Sequence, residues 1–180
     1  LDGATRDQYS MEESGVEVRE MDVGDLGAVQ EVARITWAET YRGIIPDDEL
    51  TSFVERAYSE ESLKHRMETG VFLVAVLGGE VVGFADFDPE PGKSGEVELA
   101  AIYVLPEMQG RGVGTRLLEA GIGRFGSAGS LTLRVARDNL GGRRFYEARG
   151  FSSVGEHVWR TADGEVYELE MVLEIGRNRG

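Results

Sequence analysis

Cysteine is absent from this chain of 180 residues. That excludes a disulfide framework, a thiolate zinc site and a cysteine nucleophile. Lysine is scarce, at Lys64 and Lys93 only, and histidine is confined to His65 and His157. Both histidines are expected at the surface, and two distant ones without cysteine give no metal site. No run of about 18 apolar residues occurs, so no membrane partner is expected. The opening LDGATRDQYSMEESG is polar and acidic and lacks the two regions of a secretory signal. Residues 1–15 are therefore expected to be a disordered tail or a vector-derived remnant. A single domain over 16–180 and a cytoplasmic location are the corresponding expectations.

Charge is unbalanced, with 33 acidic against 19 basic residues and a net charge of -14. That argues against a nucleic-acid partner, which would need a basic footprint. Between Met108 and Phe151 the balance reverses: eight arginines meet three acids, for a local +5 against -19 elsewhere. A basic segment in an acidic protein reads either as a local anion site or as a solvated helix face. Abundant acid with little lysine fits a salt-loving or GC-rich source.

Periodicity lays out one mixed α/β domain. VEVRE (16–20) alternates as a strand, and Asp22 or Asp25 can cap a helix running to Tyr41. Gly43 and Pro46 break that helix. Asp47 opens a second one through about Ala57, and Ser59 a third through about Thr69. The next 18 residues, VFLVAVLGGEVVGFADFD, read as a hairpin turning at Gly78-Gly79. EVELAAIYVLP is a long strand ended by Pro106, and a helix is expected from Val113 to about Phe125. LTLRVAR is a further strand, Asn139–Arg149 a short helix, and two last strands turn around Asp163-Gly164.

The stretch PEMQGRGVGTRLL (106–118) packs three glycines into a polar turn between a strand and a helix. Glycine costs backbone entropy, so the position asks for bare backbone. No GK[ST] follows, which excludes a P-loop. The spacing of Gly110, Gly112 and Gly114 excludes a dinucleotide fingerprint. A literal GxGxxG at Gly121–Gly126 follows a helical pattern instead of a strand and reads as a helix loosening at its end. At the 109–114 turn the first helical N–H groups lack intrahelical partners, and the helix dipole favours an anion. With mobile positive charge from Arg111 and Arg116, the turn is suited to a phosphate or diphosphate.

YVLPEMQGRGVGTRLL also resembles the signature of the GCN5-related N-acetyltransferases, a Q/R-x-x-G-x-G/A turn after a strand ending in V-x-P. Gln109, Gly110, Arg111, Gly112, Val113 and Gly114 match it in order. NLGGRRFYEARGF (139–151) resembles the family's second segment, N-x-x-A-x-x-F-Y-E-x-x-G-F, with Gly142 in place of the usual alanine. The resemblance covers the chain from about Val16 onward. It implies an α/β (α+β) fold: a mixed, mostly antiparallel sheet of about six or seven strands, flanked by helices and splayed at its central strands. The splay is expected after AIYV (101–104), with a bulge there.

By that resemblance the co-substrate is acetyl-coenzyme A, no metal is used, and the acetyl group passes directly to an amine. Backbone amides from Arg111 to Thr115 would bind the diphosphate. Ile102 and Val104 would pair their backbone with the pantetheine arm like an added strand. A backbone N–H near Ile102 would stabilise oxyanion character. Asn139 would cap its helix and orient the arm, and Tyr146 would protonate the leaving thiolate. Glu98 matches the glutamate used as base in the histone-acetylating branch, while many members use a water chain. Strict alternation puts Glu96 and Glu98 on one face with Ala100, Ile102 and Val104.

The acceptor end is expected within TWAETYRGIIPDDEL (36–50), where Trp37, Glu39, Tyr41 and Arg42 could contact substrate. A core role serves Trp37 equally well. Asp86 and Asp88 could attract a cationic amine, so an acidic acceptor pocket is expected. The expected acceptor is a small amine such as an amino acid or aminoglycoside, a polyamine, or a protein N-terminus or lysine, and the sequence leaves room for a homodimer. Two alternatives stay open: the same fold using another acyl-coenzyme A, and a non-catalytic coenzyme-binding sensor.

Overall fold

In a computed structural model of the chain, the described residues are 15–89, 95–126, 128–161 and 164–175. The expected tail lies almost wholly outside them, as does Asp163 of the last expected turn. Seven strands form one sheet: β1 (Val16–Glu20), β2 (Val71–Leu77), β3 (Glu80–Pro89), β4 (Glu96–Val104), β5 (Ser130–Ala136), β6 (Ser152–Thr161) and β7 (Gly164–Glu174). Their order is β1-β2-β3-β4-β5-β7-β6. Every neighbouring pair is antiparallel except β4 with β5, which is parallel. Five helices complete the fold: α1 (Leu26–Tyr41), α2 (Asp47–Ala57), α3 (Glu60–Thr69), α4 (Val113–Arg124) and α5 (Leu140–Glu147).

Local chemistry accounts for the boundaries. Both aspartates proposed as caps act on the short 3-10 turn Val23–Asp25 that leads into α1, and neither side chain caps α1 itself. The Asp22 side chain accepts from Gly24 N–H at 2.7 Å, and Asp25 accepts from Asp22 N–H at 2.9 Å, a reciprocal box. Arg19 then grips Asp25 through two bonds, 2.7 and 2.9 Å, tying β1 to the helix entry. Gly78 and Gly79, at φ +60° and +87°, supply the left-handed pair that a two-residue hairpin needs. The Ser59 hydroxyl caps α3 at Ser62 N–H.

Each sheet face carries its own core. On one face Val113, Leu117 and Leu118 of α4 pack with Phe87, Leu99 and Leu133. On the other, Val29, Val32 and Ala33 of α1 join Phe72, Phe84 and Ala101. Each of the buried valines, leucines and phenylalanines contributes roughly 1.5–3 kcal/mol. The first glycine of the literal GxGxxG belongs to this packing. An added Cβ at Gly121 would lie 1.9 Å from the Phe87 ring, so bare backbone lets α4 close on β3.

The sheet's central irregularities shape the site. Asp86 of β3 opposes Ala101, but Phe87 opposes Leu99, so Ala100 is an extra residue in β4. This bulge resets the alternation. Val97 and Leu99 face the α4 core below it, and Ile102 and Val104 face that core above it, while Ala101 and Tyr103 face α1. Glu96 and Glu98 are therefore in phase with Ala101 and Tyr103, correcting the strict count that aligned them with Ile102 and Val104. The second correction concerns the splay. β4 and β5 pair only at Glu96–Ser130, Val97–Leu131 and Glu98–Thr132. The strands thus part before AIYV, at Leu99, and AIYV forms one wall of the gap.

Candidate active site

The gap is a cleft of about 370 Å³. Residues 99–104 of β4 form one wall, and Arg134 and Val135 of β5 the other. Thr36, Thr40 and Tyr41 of α1 approach from one side of the sheet, and Phe145 and Tyr146 of α5 also line it. A larger hollow of about 460 Å³ lies between α1 and α2, lined by residues such as Gln30, Leu50 and Tyr58. The splay cleft is the better chemical candidate, because backbone donors, a phenol and a helix start converge on it.

Hydrogen-bond alternation decides what β4 offers. Leu105 N–H donates to the Val82 carbonyl at 2.9 Å, which makes Leu105 and Val82 a bonded pair of the antiparallel ladder. The bonded pairs alternate, so Tyr103 bonds to β3 whereas Val104 and Ile102 turn their N–H and C=O away from it, into the cleft. Gln109 Nε2 already donates to the Val104 carbonyl at 3.0 Å, clasping the turn to the strand. Gln109 and Gly110 line the same cleft.

The three glycines of the turn do different work. Gly110 and Gly112 have φ of +73° and +78°, with nothing within 4 Å of where a Cβ would stand. Gly112 is the residue before α4, in the left-handed conformation. These two leave open space over the unpaired N–H groups of the helix's first turn, which suits an anion. Gly114 instead makes room for Phe145, whose ring carbons would lie 3.1–3.2 Å from an added Cβ. Arg149 lies over that ring, 3.6 Å from its centroid, donates to the Phe145 carbonyl at 2.7 Å and reaches the Thr115 hydroxyl. The start of α4 is thereby fastened to α5.

Most of the basic segment is committed to structure. Arg116 donates to the Val16 carbonyl at 2.6 Å, and Arg124 pairs with Glu20. Arg137 lies over the Tyr167 ring at 4.3 Å. Arg116 is therefore a tether to β1, correcting its expected role as mobile charge at the turn. Arg111 remains exposed beside the open glycines.

Asn139 precedes α5, and its Oδ1 accepts from Gly142 N–H at 2.9 Å. An added Cβ at 142 would lie 2.7 Å from Asn139 Nδ2, so glycine there lets the amide lean across the first turn. Tyr146 meets Phe145 and Phe151 edge-on, at 5.3 and 5.5 Å. Burial, then the neighbouring Tyr41, pushes its phenol well above the usual tyrosine value, so it stays protonated and able to donate.

The acceptor-side candidates separate. Tyr41 lines the cleft and is hydrogen-bonded to Tyr103. Trp37 is 8% exposed, stacks on Tyr41 at 4.7 Å and donates to the Tyr58 hydroxyl at 3.1 Å. The core role therefore describes it, and it backs the cleft through Tyr41 and through Tyr103, 5.6 Å away. Arg42 points to solvent, paired with Glu39 at 3.2 Å. Asp86 is 3% exposed and ion-paired with Arg66 at 3.0 Å, so it is not a surface attractant for amines. Glu98 occupies the last paired position before the strands part, between Asp88 and Thr132, and its charge is felt at Asp86. His65 is exposed, and His157 is held by Glu170 at 2.8 Å.

Arg134 was overlooked in the sequence, where an arginine in an alternating strand reads as solvent-facing. Among the described residues lining the cleft it is the one charged side chain. The described lining carries no carboxylate, and Asp86, expected to make an acceptor pocket acidic, is not part of it. The described residues contain no cluster of three metal-ligating side chains and no helix long and apolar enough to cross a membrane.

These features have counterparts in known proteins. A family model described as the Acetyltransferase (GNAT) family matches residues 30–151. A spermidine N(1)-acetyltransferase of Thermoplasma acidophilum is 30% identical over 144 residues, covering 76% of this chain and 88% of its own. An uncharacterized N-acetyltransferase of Lactobacillus delbrueckii subsp. lactis is 28% identical over 159 residues, 83% of this chain and 92% of its own. Among solved structures, the PaiA N-acetyltransferase of Thermoplasma acidophilum in complex with coenzyme A superposes with a TM-score of 0.74 at 26% identity. It covers 88% of this chain and 98% of its own. The ribosomal-protein-S18-alanine N-acetyltransferase of Escherichia coli shares the fold, with a TM-score of 0.69 at 21% identity over 92% and 99% of the two chains. A matching family model over most of the chain, a cleft between splayed strands and a glycine turn at a helix start lead to one assignment: the chain belongs to the GNAT family of acetyltransferases and is an acetyl-coenzyme A-dependent N-acetyltransferase.

Proposed function

We propose that acetyl transfer to the acceptor amine takes place in the splay cleft, with the coenzyme entering at the glycine turn. The observation that carries this reading is the backbone of Ile102 and Val104, turned away from β3 toward a cleft that ends at Gln109 and Gly110. Amides from Arg111 to Thr115 hold the diphosphate, with Gly110 and Gly112 giving it close approach and Val113 opening the helix whose dipole favours it. Arg111 adds charge from solvent. Ile102 and Val104 hydrogen-bond the pantetheine arm as a neighbouring strand would, and Asn139 orients it.

Bound there, acetyl-coenzyme A supplies the acyl group as an activated thioester. The Ile102 N–H donates to the carbonyl oxygen as negative charge builds on it. Tyr146 gives its phenolic proton to the sulfur as the carbon–sulfur bond breaks, and regains one from solvent afterwards. The acceptor nitrogen attacks as the neutral amine, forms the new bond to carbon and gives up one of its two protons as it becomes the amide. Glu98, one residue below the opening, draws that proton through water. Tyr41 faces the acceptor from α1.

The test pairs binding with turnover. Coenzyme A should raise the melting temperature, and Tyr146→Phe should keep that protection while lowering kcat about 10²–10⁴-fold, as loss of a general acid does. Tyr146→Phe with full kcat would remove the phenol's role. No protection by coenzyme A in the parent protein would remove the cleft's.

A further inference from the structure

Arg134 is the feature of the cleft for which this reading has no use. On β5, Leu131, Leu133 and Val135 belong to the α4 core, and Ala136 belongs to the α1 core. Alternation therefore puts Arg134 on the α1 face, with Tyr41, and on the opposite side of the sheet from the start of α4. A diphosphate held by that helix is out of its reach. Thr36, Thr40 and Tyr41 of α1 line the cleft from the face where Arg134 stands, and that face is left open to the acceptor.

The surroundings leave this guanidinium charged and available. Its cross-strand neighbour on β7 is Glu170, which is engaged by His157 at 2.8 Å. Glu168, two residues away on β7, feels Arg134 through space. Burial pushes the Glu168 carboxyl above its usual range, with Arg134 and His157 opposing that, and no ion pair joins it to Arg134 among the described residues. Tyr41 and Tyr146 contribute neutral phenols. The described cleft lining thus presents one positive charge and no carboxylate. A polyamine, positive at every nitrogen, would meet repulsion there. A substrate with an anionic group beside its amine would meet a planar, bidentate partner.

We propose that the acceptor is a small amine bearing a carboxylate, of the amino-acid class, and that Arg134 on the α1 face of the cleft binds that carboxylate. This rests on the cleft being the transfer site. It gives the enzyme a specificity residue and a substrate class distinct from the polyamine named for its Thermoplasma relative.

The experiment compares kcat/KM for free amino acids, the corresponding amino-acid amides and spermidine, read by thiol release from acetyl-coenzyme A. The parent protein should favour acids over amides by about 10–100-fold, the scale of one charge-assisted bond, with spermidine poorest. Arg134→Gln should bring the acid-to-amide ratio close to one, Arg134→Lys should keep part of it, and Arg134→Glu should invert it. A merely structural arginine would not move this ratio. Preference for spermidine or amides in the parent, an unchanged ratio in Arg134→Gln, or turnover of no carboxylate-bearing amine would each overturn the proposal. Coenzyme A protection, measured on every variant, separates the two failures. If protection persists and the ratio does not respond, only the acceptor assignment falls. If protection is missing throughout, the cleft assignment falls first.

Discussion

Asp86 shows how much a single residue's role depends on neighbours remote in sequence. In FADFDP it reads as one of two acids on a strand, facing solvent and open to a cationic ligand. The fold instead lays Arg66 of α3 against it, with the guanidinium over the Tyr58 and Phe72 rings at 4.9 and 5.2 Å. Burial raises its carboxyl to about 6; Arg66 opposes the rise, and Asp88 and Glu98 add to it. A carboxyl with a raised folded value binds its proton more tightly when folded than when unfolded. Its stabilising effect is therefore complete below about 3.8 and lost as pH climbs through about 6. Relative to Asp86→Asn, the parent protein should lose on the order of 3 kcal/mol between pH 3.5 and 7, from the size of that shift. Denaturant melts of both proteins across that range check this, and a pH-independent difference would contradict it. Tyr146, by contrast, stands where the spacing of its own segment puts it, on α5 beside Phe145 and lining the cleft.

At the scale of elements, helix and strand positions followed from local signals: caps at Asp22 and Ser59, a Gly-Gly hairpin, and Pro106 after β4. The bulge at Ala100 did not. Two consecutive alanines carry no facial preference, so nothing in ELAAIYV marks where the alternation resets. Yet the bulge decides that Glu98 faces the α1 side while Ile102 and Val104 pack toward α4. Deleting Ala100 should force one half of β4 onto the wrong face. Misplacing Val97 and Leu99 alone would cost about 3 kcal/mol or more. The expected outcome is a lower melting temperature together with loss of coenzyme A protection. A deletion variant that melts and binds like its parent would show that β4 needs no reset there.

For the whole molecule, the dominant physical fact is a net charge of -14 on 180 residues. Self-repulsion at that density destabilises the compact state, and salt relieves it. Raising ionic strength from about 0.01 to 1 M shortens the screening length from about 30 to 3 Å. The melting temperature should rise by several degrees, checked by calorimetry in sodium chloride. A fall would mean that pairs such as Arg19–Asp25 and Arg66–Asp86 outweigh the excess negative charge. Within that acidic shell the arginines between 108 and 151 include tethers, such as Arg116, Arg124 and Arg149, and charges placed at the site, Arg111 at the turn and Arg134 in the cleft.

The sequence by itself determined whatever depends on neighbours a few positions apart: the order of elements, the open turn at Gly110 and Gly112, the cap at Asn139, and the family signatures. Hydrogen-bond partners and backbone conformations at that range are local, so residue type and spacing suffice to specify them. Only the tertiary structure decided where β4 and β5 part, that Asp86 is buried, that Trp37 is core, and that an arginine of β5 lines the cleft. Each of those is set by strand register and by packing between residues far apart along the chain, which composition and periodicity do not encode.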